Sequence, residues 1–189
     1  EKTLIIFTSD NGGLATSEGS PTCNAPLAEG KGWMYEGGTR EPLFVKWPGV
    51  VEPGAVCHTP VTTPDFYPTM LEAAGADGNP DHQVDGVSIM PLLKGVGALK
   101  REAIFWHYPH YGNQGGTPGA SVRKGDYKLI NFFEDDRLEL YNLREDPGEA
   151  RNLTEARPDL ARELKELLSA WQKKVEAKIP QPNPDWENR

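Results

Sequence analysis

Cysteine is nearly missing from this chain. Cys23 and Cys57 are the only two in 189 residues, too few for a disulfide framework and outside any Cys-x-x-Cys arrangement, so zinc and thioredoxin-type readings lack support. One bridge or two free thiols both stay open. Long apolar runs are also missing: none approaches the roughly 20 residues that a membrane helix needs. With 37% hydrophobic residues, a soluble chain without a membrane span is expected. Nor is there a basic stripe. The 20 Lys and Arg are scattered and outnumbered by 28 Asp and Glu, for a net charge of −8, which leaves no electrostatic footprint for nucleic acid. The chain starts at Glu1 without an initiator Met, a basic n-region or an apolar h-region, so any targeting segment is expected to lie outside it or to have been removed.

What is present begins with an apolar run, Leu4-Ile5-Ile6-Phe7, that leads straight into Thr8-Ser9-Asp10-Asn11-Gly12-Gly13. Asp, Asn and paired glycines make an ordinary tight turn. They also make a partial site for a hard cation, because a carboxylate and an amide carbonyl are oxygen donors and the glycines let backbone crowd round an ion. The run over 3–8 is continuous rather than alternating, which predicts a central parallel strand covered on both faces. In open α/β sheets, ligands bind beyond the carboxyl ends of strands. That placement favours the cation-site reading of Asp10 and Asn11.

Residues 14–38 form a loop rich in Gly, Ser and Pro that contains Lys31 between Gly30 and Gly32. A loop of this length in a compact domain is expected to fold over something functional. A short strand follows at 42–49. A helix is predicted over 61–76, with Thr63 as N-cap, Pro64 in the first turn and Gly75 as the stop. Its apolar residues Phe66, Met70, Leu71 and Ala74 would face a sheet, and Asp65 would act as a cap favoured by the macrodipole. A polar stretch at 76–86 marks a change of character. Strands are predicted at 103–108, 121–131 and 137–143, with Lys124-Gly125-Asp126 as an irregularity or turn and Glu134-Asp135-Asp136 as a solvated hairpin turn. Leu160, Leu164, Leu167, Leu168, Trp171 and Val175 recur at helical spacing behind Pro158 and Asp159, so one amphipathic helix should cross a small antiparallel sheet. The proline-rich tail from Ile179 reads as an extended strap.

These motifs in this order resemble the C-terminal part of a type I sulfatase: TSDNGG, then GKGWMYEGGTREPLFVKWPG, DFYPTMLEAAG, DGVSIMPLL, VRKGDYKLI and LYNLREDPGEARNL. The resemblance covers nearly the whole chain. It implies an α/β fold: part of an alkaline-phosphatase-like sheet sandwiched by helices over 1–100, then a small antiparallel sheet with one C-terminal helix over 101–189. It further implies calcium as cofactor with Asp10 and Asn11 among its ligands, and Lys31 as the cation that holds the sulfate group. A periplasmic or secreted enzyme is the family expectation. The family's nucleophile is a formylglycine made inside Cys/Ser-x-Pro/Ala-x-Arg. Cys23 is followed by Asn24-Ala25-Pro26-Leu27 and Cys57 by His58-Thr59-Pro60-Val61; neither fits, and no serine does. The chain is therefore expected to be a fragment that needs the N-terminal part of the same protein, and to be inactive alone.

The substrate implied is a sulfated small molecule or glycan. His107 and His110, set among aromatic residues before the Gly-rich GNQGGTPG, are candidates for lining a sugar pocket, with satisfied histidines at a strand end as the competing reading. A zinc pair lacks a third ligand. Arg40 and Glu41 read as an ion pair or backbone tie, and Arg123, Lys124 and Lys128 as strand cations that could reach an anionic substrate. Asn152-Leu153-Thr154 matches the N-glycosylation pattern. Two alternatives to sulfate-ester hydrolysis are a phosphoester or phosphonate hydrolase of the same superfamily, and an inactive binding module.

Overall fold

A computed structural model describes residues 2–16, 22–184 and 186; the loop positions 17–21 and the last part of the proline-rich tail lie outside the described residues. Two compact units are distinguishable, one made of the chain up to Thr8 with Pro42–Glu102 and the other of Ser9–Glu41 with Ala103 onward. The chain passes between the units at Thr8/Ser9, Glu41/Pro42 and Glu102/Ala103, and the loop carrying Lys31 is part of the second unit. No described helix is long and apolar enough to cross a membrane. Both cysteines are free and exposed.

In the first unit, β1 (Ile5–Thr8) pairs with β2 (Leu43–Lys46). The pairing is antiparallel, with Ile5 opposite Lys46 and Thr8 opposite Leu43, which corrects the expectation of a parallel strand. Parallel pairing needs a crossover that returns the chain in the same direction; here residues 9–41 fold into the other unit and the chain comes back reversed. Ile5 is 50%, Phe7 69% and Phe44 63% exposed, so no described residue of this chain fully covers these apolar side chains.

The helix predicted over 61–76 begins as a 3-10 turn at Thr63–Asp65 and continues as α2 (Phe66–Ala74), after the short α1 (Glu36–Thr39) of the other unit. Thr62, not Thr63, holds the N-cap, in a capping box with Asp65. Gly75 ends the helix at φ 63, the left-handed conformation a C-cap glycine supplies. The buried side of this helix is more polar than its sequence suggests. Met70 is half exposed, whereas Thr69 is buried, donating to the Asp65 carbonyl at 2.6 Å and accepting the Ile89 N–H at 2.9 Å. That second bond ties α2 to the segment entering α3 (Met90–Leu93).

The second unit is a four-stranded antiparallel meander, β3 (Ile104–Tyr108), β4 (Gly119–Lys124), β5 (Tyr127–Phe132) and β6 (Leu138–Asn142), in that spatial order. Of the two readings of Lys124-Gly125-Asp126 within 121–131, irregularity or turn, the structure has the turn: the stretch is the β4–β5 hairpin, in which Lys124 pairs with Tyr127 and Gly125 turns the chain at φ 60. Side chains alternate across the sheet, so each face has its own core. On one face Val122, Leu129 and Leu140, fully buried, pack against Ala161, Leu164 and Leu168 of α4 (Pro158–Lys174). Trp171 of that helix stacks on Phe105 with centroids 4.8 Å apart. On the other face Ile130, Phe132 and Tyr141 pack against Met34, with Tyr35 beside them. The loop that carries Lys31 is thereby seated on the sheet, and α4 holds the opposite side.

Asn152 serves this packing directly. Its side-chain carbonyl accepts the N–H groups of Leu140 at 3.1 Å and Thr154 at 3.0 Å, so the residue acts as a tie between the last strand and the approach to α4.

Candidate functional site

TSDNGG is more than a turn. Gly12 is buried and its N–H donates to the Gly38 carbonyl at 3.2 Å, while the Gly13 carbonyl accepts the Lys31 N–H at 3.1 Å. A Cβ at Gly12 would stand 1.9 Å from the Gly37 oxygen. Gly12 therefore lets the Asn11 segment touch the backbone at Gly37 and Gly38, and Gly30 lets the Lys31 loop touch it at Gly13, where a Cβ would stand 2.3 Å from the Gly13 oxygen. Asn24 reinforces the junction by donating from one amide nitrogen to the Gly13 and Glu29 carbonyls, both at 2.8 Å. Gly12→Ala is expected to cost about 1–3 kcal/mol through forced overpacking, read as a lowered thermal midpoint; an unchanged midpoint would show that this contact is dispensable.

Asn11 and Lys31 share a cleft of about 340 Å³ with Trp106, His107 and Tyr108 of β3, and with Trp33 and Gln114. Trp33 is fastened by its indole N–H to the Gln114 carbonyl at 2.9 Å. The loop bearing Gln114 can lie there because Gly116 has no side chain: a Cβ would be 1.9 Å from the Gly32 oxygen. The cleft thus combines one amine, two side-chain amides and three large aromatic rings, a composition suited to a polar ring carrying an anionic group.

His107 is at the cleft wall, with neither ring nitrogen spare. Nε2 lies 2.9 Å from the Lys178 carbonyl and Nδ1 3.2 Å from the Gln172 amide nitrogen. The Lys178 carbonyl can only accept, which assigns the proton to Nε2 and leaves Nδ1 to accept from Gln172. His110 is exposed and edge-on to Tyr108 at 5.3 Å between centroids; it does not line the cleft.

Asp10 is exposed at the end of the Asn11 segment. Its carboxylate faces that of Glu41, whose carboxyl is raised above its usual range, first by burial and then by the neighbouring Asp10 charge. The Glu41 Oε1 is buried without a hydrogen-bond partner among the described residues. A second carboxylate beside Asp10 with an unsatisfied oxygen is an environment that a cation would relieve. With Asn11, the donors are all hard oxygens, which suits calcium better than a zinc-type ion. They make only part of a shell: among the described residues no cluster of three or more His, Cys, Asp and Glu could hold a metal by itself.

Three residues depart from their sequence reading. Lys128 is completely buried, between Glu36 at 3.0 Å and Glu149 at 3.1 Å, and cannot reach a substrate; an amine placed between the sheet and a covering loop is expelled from water by that cover. Arg123 turns to Glu36 at 3.6 Å and Lys124 to Glu163 of α4 at 3.0 Å. Sequence reasoning did not single out Trp33 or Trp106, although it did note the Gly-rich GNQGGTPG loop that bears Gln114. For Trp33 an indole next to a glycine-flanked lysine was a hint, whereas Trp106 sits in an apolar strand where core packing explains it equally well.

The C-terminal family model of N-sulphoglucosamine sulphohydrolase matches residues 29–174. A sulfatase of Formosa agariphila is 42% identical over 90% of this chain and 33% of its own length. Human arylsulfatase A is 36% identical over 88% of this chain and 37% of its own length. A solved structure described as a complex with its substrate D-glucosamine-2-N,6-O-disulfate superposes with a TM-score of 0.75 at 29% identity, covering 94% of this chain and 35% of that one. The chain thus spans about a third of the length of the relatives it matches, and its structural neighbours are sulfatases of the alkaline-phosphatase-like fold. The meander with its C-terminal helix and these matches agree: the chain belongs to the N-sulphoglucosamine sulphohydrolase C-terminal family and is a C-terminal portion of a sulfatase.

Proposed function

We propose that the enzyme containing this chain hydrolyses sulfate esters of a carbohydrate, and that this portion supplies the anion-holding lysine, two calcium ligands and part of the sugar pocket. The observation that carries the reading is the gathering of Asn11 and Lys31 in one cleft with Trp33, Trp106 and Tyr108. Asp10 and Asn11 provide oxygen ligands, and the remaining ones come from the rest of the enzyme, as does the formylglycine nucleophile. Bound there, calcium would supply a fixed positive charge to polarise the sulfate ester. Lys31 holds a sulfate oxygen and stabilises charge as the ester bond breaks. The aromatic rings receive the pyranose faces and His107, tied to Gln172 and Lys178, shapes the wall. A sulfated carbohydrate is favoured by the neighbour solved with D-glucosamine-2-N,6-O-disulfate.

The test is made on the full-length enzyme, comparing an aryl sulfate, an aryl phosphonate and a sulfated monosaccharide, each with and without calcium. Sulfate-ester turnover that depends on calcium supports the reading, and preference for the phosphonate would move the enzyme to the neighbouring hydrolase class. Asp10→Ala should weaken calcium binding, measured by calorimetry, beyond the roughly 10–100-fold that loss of an outer-shell partner costs. Undiminished calcium affinity in that variant would remove Asp10 from the ligand set.

A further inference from the structure

Behind the cleft lies a buried ionic cluster that the proposed chemistry leaves unused. Lys128 on β5 has no exposed surface, and its Nζ is 3.0 Å from Glu36 Oε1, 3.1 Å from Glu149 Oε1 and 3.4 Å from Thr39 Oγ1. It also lies 5.9 Å from the centroid of the Trp106 ring. Thr39 and Trp106 both line the cleft, so the ammonium stands directly behind the wall. Glu36 is held in two further ways. Its N–H donates to Glu149 Oε2 at 2.6 Å, and its second carboxylate oxygen lies 3.6 Å from Arg123 and 3.8 Å from Arg40.

The backbone from Glu36 leads to both proposed site segments. Gly37 N–H donates to Ala28 at 2.8 Å, and Gly38, one residue on, accepts from Gly12 at 3.2 Å; Lys31 in turn donates to Gly13 at 3.1 Å. These bonds close a ring through α1, the Asn11–Gly13 segment and the Lys31 loop. Lys128 anchors that ring to the sheet at its helical corner. On the far side of the clamp, Glu149 itself sits in a left-handed backbone conformation, φ 51, unusual for a residue with a side chain. Such a conformation persists where its surroundings over-determine it and is a reason to look for function.

We propose that Lys128, clamped between Glu36 and Glu149, is a positioning residue: by fixing α1 against the sheet it sets the distance and direction of Lys31 relative to Asn11. The inference rests on the roles proposed above for those two residues. Stability does not account for the cluster by itself, because replacing a buried ion pair with apolar groups is often neutral or stabilising. What ions and hydrogen bonds add here is direction. A methylene surface would let α1 slide, whereas the ammonium is fixed between two carboxylates and a hydroxyl, with Glu36 Oε2 and Glu149 Oε1 engaged by ion pairing and not by hydrogen bonds. Burial, the first cause, raises the Glu149 carboxyl above its usual range, and the Lys128 charge beside it opposes that rise.

The experiment uses the full-length enzyme with the double substitution Lys128→Met and Glu149→Gln, and Glu149→Gln alone as the milder change that keeps a carbonyl for the Glu36 N–H. Removing the Glu149 carboxylate along with the amine leaves one buried carboxylate, Glu36, which Arg123 and Arg40 still face at 3.6 and 3.8 Å, so no buried charge is left without a counter-ion and the double variant should fold with a melting point close to the parent's. Thermal midpoint, kcat and KM on an aryl sulfate, and the inhibition constant of inorganic sulfate are measured, with Lys31→Ala in parallel. The expected result is a kcat lowered by up to about 10²-fold, the scale of a 1 Å misplacement, with weaker inhibition by sulfate and little change in midpoint. Should the double variant fail to fold, the same activity and inhibition changes are required of Glu149→Gln. A folded variant with the parent's kcat and sulfate inhibition would overturn the proposal. If Lys31→Ala also leaves sulfate inhibition intact, it is the assignment of Lys31 that fails, and the positioning role falls with it.

Discussion

Replacing Lys31 by Ala in the full-length enzyme should lower kcat/KM for a sulfate ester by about 10²–10³-fold, the scale on which removal of one preorganised charge-stabilising donor acts. Inorganic sulfate should inhibit the variant far less than the parent. The size of the effect follows from how the residue is held. Its backbone is bonded to Gly13, and the flanking Gly30 is buried, with a Cβ there meeting the Gly13 oxygen at 2.3 Å. Gly32 adopts φ 88, a conformation that side chains disfavour. The amine is thus carried on a backbone with little freedom to move toward or away from the cleft. Lys31→Arg should restore little, since a planar fork on a longer stem does not replace a compact ammonium in a site built round one point charge. Full turnover in Lys31→Ala would return the lysine to the status of a loop residue and sink the proposed site.

The second large effect concerns stability. Asp65→Ala should destabilise its unit by about 3–5 kcal/mol, as removing one member of a buried pair does, seen as a lower urea midpoint of the full-length enzyme. Asp65 has no exposed surface. Arg101 reaches its two oxygens at 2.7 and 2.8 Å, and its carboxylate also accepts the N–H groups of Thr62 at 2.7 Å and Val87 at 2.9 Å. The guanidinium continues to the Pro60 carbonyl at 2.9 Å. Truncation leaves a largely buried cation and two backbone donors without their acceptor, so the loss is that of a hub joining the start of α2 to residues 87 and 101. A midpoint within experimental error of the parent's would mean that water replaces the carboxylate at no cost, contrary to this account.

Asp65 also illustrates why sequence reading stops short. Its place in a first helical turn after Pro64 was legible, and so was a cap; that Arg101 reaches it was not, because nothing local links positions 36 residues apart. Lys128 is the sharper case. Between Tyr127 and Leu129 an alternating strand presents a lysine to one face, and strand lysines are ordinarily solvated. Only the cover laid over that face by Met34 and α1, from a segment some ninety residues away, turned the residue inward. The four-strand reading was blurred for a related reason: Gly125 was visible as a break, but whether a break is a bulge or a hairpin depends on which strand pairs with which.

By itself the sequence determined what local chemistry can determine. Helical spacing placed α4, the glycine at 75 placed the end of α2, and short strand-forming runs separated by turn residues placed the small sheet. The ordered motifs carried the sulfatase resemblance, and with it the expected roles of Asp10, Asn11 and Lys31. The tertiary structure decided the rest: that β1 and β2 run antiparallel, that the Lys31 loop belongs with the C-terminal meander, that both ring nitrogens of His107 are engaged, and that Lys128 is a buried clamp. The physical reason is the same throughout. Backbone conformation and amphipathic period are set by neighbours in the chain, whereas burial, ion pairing and the shape of a cleft are set by segments that meet only after folding.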